Sequence, residues 1–161
     1  MKRSLIIIIL VCLASLTTFG FVQSEKKDFY KALSSGEEST IDQALANLEK
    51  EKPSSRINAC KGALTMKKAG FQKSVKVKVK TFKKGAYMLE DEIKSNPANT
   101  EYRFLRLTIQ EHAPKVLKYN KQLDEDKQAV IAGFGKLDND LKAIVSNYAK
   151  DSKVLKASDL K

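Results

Sequence analysis

The chain has 161 residues, is 42% hydrophobic and 30% charged, and carries a net charge of +11. Such a length fits about one domain of roughly 100–200 residues, and the apolar content supports a core without disulfides, which excludes a disordered chain or a cysteine-stapled scaffold. With no Trp, seven Gly and three Pro, the chain has few turn-formers for a many-stranded β fold, and long helices are favoured.

The first residues read as a secretory signal. Lys2 and Arg3 precede an apolar run over residues 5–16, with four consecutive isoleucines at Ile6 to Ile9. Thr17, Thr18 and Gly20 then lower the hydrophobicity. Val22, Gln23 and Ser24 place compatible residues at −3 and −1, so cleavage is expected after Ser24. The alternative is an uncleaved anchor, since residues 5–22 just reach the ~17–25 residues of a membrane span. Cys12 follows Val11 inside the apolar run, which does not suit lipidation. Signal removal leaves one cysteine, Cys60, flanked by Ile57, Ala59, Ala63 and Leu64. A small buried hydrophobe is expected there rather than a nucleophile or an intermolecular bridge.

A short helix is expected over residues 26–33, with Phe29, Tyr30 and Leu33 inward. Over residues 38–52, Ile41, Ala44, Leu45 and Leu48 form one apolar stripe of a helix. Thr40 and Gln43 have capping-box spacing, and Pro53 ends the helix. Ser54 or Ser55 then caps a second helix running to about Ala69, with Ile57, Cys60, Ala63 or Leu64, and Met66 inward. Gly70 suits a left-handed helix terminus.

Residues 75–80, Val-Lys-Val-Lys-Val-Lys, alternate as a strand does. Val75, Val79, Phe82, Ala86, Leu89 and Ile93 also step at helical spacing. No second alternating run exists to pair with a strand, so a long helix is predicted. Gly85 inside it costs ~1 kcal/mol relative to Ala, which a closely crossing helix would explain. Residues 96–99 read as a turn. Residues 101–113 carry Tyr102, Phe104, Leu105, Leu107 and Ile109 on more than one face, so that helix should be central. Val116 and Leu117, after Pro114, suit a further helix start, continued over residues 121–134 with Leu123, Val130, Ile131 and Phe134 inward. Gly133 and Gly135 break the chain. Leu137, Leu141, Ile144, Val145 and Tyr148 mark a last amphipathic helix, and residues 154–161 are expected to fray. The predicted fold is all-α, with residues 25–161 forming one domain of antiparallel helical hairpins, either a repeat-like stack or a small bundle.

The run Phe82, Gly85, Leu89, Ile93, Asn96, Pro97 and Asn99 resembles the second helix of a tetratricopeptide repeat with its following turn. Glu101 to Arg106 then looks like the opening of the next repeat, so the unit spans about residues 74–113. Gly85 and Pro97 match the family pattern, while Leu89 replaces its aromatic and Glu92 stands where a small residue is usual. The chain also looks like exported bacterial proteins with degenerate repeats of this kind. The resemblance implies stacked helical hairpins and a protein-binding role.

The charge is localised. Residues 50–84 hold twelve basic residues and one acid, Glu51, which accounts for the whole net charge; elsewhere acids and bases balance. Such a segment attracts anionic partners. Export and the scarcity of aromatics, with only Phe71 and Phe82 nearby, argue against nucleic acid. The acidic runs Glu90-Asp91-Glu92 and Asp124-Glu125-Asp126 read as solvated helix faces. His112 stands near a helix end, where a cation suits the dipole.

No nucleophile elbow, zinc-protease motif, phosphate loop or paired Cys-x-x-Cys occurs, so neither an enzyme nor a cofactor or metal is expected. The sequence therefore points to a periplasmic or secreted adaptor for an as yet unspecified protein partner. The alternative is an envelope protein that binds anionic lipid or polysaccharide through residues 50–84. The expected contacts are Lys73, Lys76, Lys78, Lys80, Lys83, Lys84, Arg103 and Arg106. Tyr102 is weighed as a contact but better suits the core, and both arginines suit pairing with nearby acids.

Overall fold

A computed structural model describes residues 26–160; the expected signal segment and Cys12 lie outside the described residues. Helix α1 covers residues 26–34. It is followed by α2 (Glu38–Lys50), α3 (Ser55–Lys68), α4 (Val75–Ser95), α5 (Thr100–His112), α6 (Leu123–Gly133) and α7 (Asn139–Asp151). Single 3-10 turns occupy Ala69–Phe71, Lys115–Leu117, Phe134–Lys136 and Ala157–Asp159. Among the described residues there is no strand, and the all-helical expectation holds.

Four helices start on side-chain caps. Ser54, Ser74, Asn99 and Asp138 accept from the backbone N–H groups of Ile57, Val77, Tyr102 and Leu141, each satisfying a donor that lacks an intrahelical partner. The alternating 75–80 segment is the start of α4. A single helix satisfies its own backbone there, and Phe82, Gly85, Leu89 and Ile93 supply its buried stripe.

Three local expectations are corrected. Thr40 and Gln43 form no capping box: Glu37 is the N-cap, Thr40 Oγ1 donates to the Glu37 carboxylate at 3.2 Å, and Gln43 donates to Asn47. No glycine among the described residues has positive φ. Gly70 instead lies in a 3-10 turn, ended by the extended Gln72 whose N–H donates to Ala69 O. Val116 and Leu117 begin no longer helix, because Lys118 takes the left-handed conformation (φ 49°) and closes a single turn.

The α2–α3, α3–α4 and α5–α6 pairs run antiparallel. Lys61 and Lys68 of α3 meet Glu49 and Asp42 of α2. Asn58, near the start of α3, donates to Glu92 near the end of α4. Gln110 and Arg103 of α5 reach Gln122 and Asp126 of α6 in reversed order. Nine of the thirteen residues of α5 are buried, so the centrality expected of it is observed. Tyr102 is core, as are Phe29, Tyr30 and Leu33 of α1.

The α3–α4 crossing is set by two glycines. A Cβ on Gly85 would lie 2.5 Å from Gly62 O and 2.6 Å from Met66 N, and a Cβ on Gly62 would lie 2.8 Å from Gly85 O. The obstacles are backbone atoms, so no side chain can rotate away. This close approach answers why Gly85 interrupts a long helix. The C-terminal stretch, expected to fray, is packed instead: Leu155 is fully buried, and Lys127 pairs with Asp159 at 3.1 Å.

Gly62→Ala and Gly85→Ala should each destabilise by about 1–3 kcal/mol through overpacking. Gly70→Ala, whose new Cβ meets nothing within 4 Å, should stay within about 0.5 kcal/mol of the parent. Urea unfolding monitored by circular dichroism measures all three.

Candidate functional site: an apolar cleft rimmed by lysines

Arg103 and Arg106 are both engaged by acids within the fold. Arg106 is 4% exposed and Asp126 0% exposed. The two make a fork, with Nε donating to Oδ2 at 2.6 Å and Nη2 to Oδ1 at 2.7 Å. Arg106 Nη1 also donates to Glu90 at 2.6 Å, and Tyr119 donates to the other Glu90 oxygen at 2.7 Å. Arg103 adds bonds to Glu125 and Asp126. Burial by itself pulls the Arg106 pKa down, but the hydrogen bond and charge of Asp126, then Glu90, hold it above the ordinary value. The two acidic runs, expected to be solvated, thus meet across α5. Glu90 and Asp126 clamp Arg106, and Glu92 binds Asn58.

The candidate lysines lie elsewhere. Lys73, Lys76, Lys78, Lys80, Lys83 and Lys84 are all exposed. Of these only Lys78 lines the cavity of about 1170 Å³ between α1, α3, α4, α5 and α7. Leu33, Met66, Val79, Phe82, Phe104 and Ile109 give this cleft an apolar lining. Its volume exceeds the ~300–1,000 Å³ typical of a small-molecule site, so it has room for a long chain.

The hydroxyls in the lining are already engaged within the fold. Tyr30 donates to Glu101 at 3.0 Å, Ser34 to Tyr30 O, Thr108 to Leu105 O, and both Tyr148 and Ser152 to Glu111. Burial, reinforced by Glu101, pushes the Tyr30 hydroxyl well above its ordinary pKa. Burial and then Glu111 do the same for Tyr148. Both phenols therefore stay protonated as donors.

The cleft's cations are less committed. Lys27, Lys31, Lys67 and Lys78 line it, and none pairs with a carboxylate among the described residues. Among the described residues Asp151 is the one acid in the lining. Burial pushes the Lys67 ammonium below its ordinary pKa, and a bound anion would reverse that shift.

Glu111 fixes one wall. It accepts from Tyr148, from Ser152 Oγ at 2.6 Å and from Lys153 N at 2.6 Å, tying α5 to the end of α7. Burial alone would raise its pKa, but the Ser152, Tyr148 and Lys153 bonds together hold it below the usual value. His112 is exposed, with Nδ1 donating to Thr108 O at 2.9 Å. Cys60 is fully buried. Among the described residues no group of His, Cys, Asp and Glu is placed to hold a metal, and no helix is long and apolar enough to cross a membrane. The chain matches no protein-family model, no curated protein and no solved structure.

Sequence reasoning placed the basic density correctly on residues 50–84 but missed the cleft. Lys27 and Lys31, one turn apart on α1, are brought to Lys67 and Lys78 only by packing, and no local pattern joins them. Arg106→Met should destabilise by about 3–5 kcal/mol, since it leaves Asp126 buried without its cation; thermal unfolding checks this. The depressed pKa of Glu111 means its contribution is present above its unfolded value and is lost as pH falls through the folded one. The stability gap between the parent chain and Glu111→Gln should therefore be largest near neutrality and shrink steadily on acidification below pH ~4.3, as read from denaturation midpoints across pH.

Proposed function

We propose that this chain is an exported, non-enzymatic binding protein of the cell envelope, which holds an anionic single-chain amphiphile of the fatty-acid type in the cleft. One observation carries the reading: Lys27, Lys31, Lys67 and Lys78, without carboxylate partners among the described residues, surround an apolar cavity whose hydroxyls are already bonded within the fold. An extended peptide would bury backbone groups that need partners, and the lining has few to offer. An acyl chain needs none, and its single charged end suits a lysine.

The cleft volume of about 1170 Å³ also favours a second reading, the protein adaptor. A helical segment satisfies its own backbone, and acidic residues flanking its apolar face would meet the same lysines. The antiparallel α3–α4 hairpin with its glycine crossing is in keeping with the tetratricopeptide-like resemblance, which implies such a partner.

Isothermal titration of the purified protein with palmitate should show saturable binding, with methyl palmitate weaker. Lys67→Met should reduce palmitate affinity roughly three- to tenfold and leave methyl palmitate little changed. If neither amphiphile binds, while an apolar helical peptide with acidic flanks does, the adaptor reading replaces this one.

A further inference from the structure

Two apolar side chains at the edge of the cleft face solvent. Val75, the first residue of α4, is 76% exposed, and Val116, in the turn after α5, is 84% exposed; both line the cleft. A single exposed valine is ordinary. These two come from distant parts of the chain and lie at one apolar opening that also carries Lys27, Lys31, Lys67 and Lys78. An apolar edge ringed by cations matches the interface of an anionic bilayer, where apolar tips enter the headgroup layer while lysine stems reach lipid phosphates. Beyond the opening, Lys76, Lys80, Lys83 and Lys84 are exposed on α4 and extend the positive field that would bring the molecule to such a surface.

We infer that the mouth of the cleft docks on an anionic membrane surface, with Val75 and Val116 entering the headgroup layer. The inference rests on the acyl-chain reading of the cleft and adds a route to it, because an acyl chain could pass between bilayer and cleft without crossing water. An acidic protein face would meet the lysines equally well but would not require the valines to enter an apolar layer. The valines thus distinguish the two.

The chain contains no Trp, so a single introduced Trp reports its own surroundings. In protein spanning residues 25–161, as expected after signal cleavage, and carrying Val116→Trp, emission should shift to the blue with phosphatidylglycerol vesicles and stay unchanged with phosphatidylcholine vesicles. Tyr87→Trp, at an α4 position 75% exposed and outside the cleft, should stay unchanged with both. Val75→Glu with Val116→Glu should weaken cosedimentation with phosphatidylglycerol vesicles about tenfold or more, with circular dichroism confirming the fold. A shift at Tyr87→Trp equal to that at Val116→Trp overturns the docking mode. So does cosedimentation that survives the valine changes but is lost on Lys80→Glu with Lys84→Glu. Palmitate titration without vesicles reads the cleft by itself. Palmitate binding without any vesicle shift overturns the docking alone. A shift at Val116→Trp without palmitate binding supports the docking and overturns the acyl-chain reading.

Discussion

The close crossing of α3 and α4 at Gly62 and Gly85 is the constraint on which the rest of the structure depends. Each glycine stands where a Cβ would collide with the other helix's backbone, so the two axes approach more closely than side chains normally permit. Met66 and Phe82 flank that crossing and both reach the cleft lining. Two glycines that line none of the cleft thus stand beside two residues that do. Overpacking at the crossing would be felt at the cleft wall, because close-packed interiors transmit displacement rather than absorb it.

A second constraint sorts the charges. The α5 helix is mostly buried, yet it carries Arg106 and Glu101 into the interior. Each finds a partner there, Arg106 in Asp126 and Glu90, and Glu101 in Arg56 and Tyr30. Arginine suits such sites because its planar fork matches a carboxylate with two parallel bonds. The acids of residues 90–92 and 124–126 are thus partly consumed inside the fold, whereas the lysines of α4 are left in solvent. Of the basic residues in the 50–84 segment, Lys67 and Lys78 line the apolar cleft, while Arg56, Lys61 and Lys68 pair with acids of the fold.

Much of this was legible residue by residue. The cap at Ser54 or Ser55, the turn over residues 96–99, the stripe through Phe82, Leu89 and Ile93, the dense apolar content of α5 and the burial of Cys60 all follow from local spacing and propensity. The errors were of two kinds. Some concerned helix ends, as at Thr40, Gly70 and Val116, where termini fray and boundaries shift by a residue or two. Others concerned solvation. The acidic runs and the C-terminal stretch look polar and peripheral, but Asp126 and Leu155 are fully buried.

By itself, then, the sequence determined the helices, their approximate limits, the all-α class and the segment that holds the net charge, because these rest on periodicity and composition within a dozen or so residues. Only the tertiary structure decided that Arg106 is buried between Asp126 and Glu90, with Arg103 at its edge. It also decided that Lys27, Lys31, Lys67 and Lys78 share a cleft and that Val75 and Val116 border the same opening. Such convergences join residues tens of positions apart. They depend on how closely the helix axes approach, which no single helix encodes.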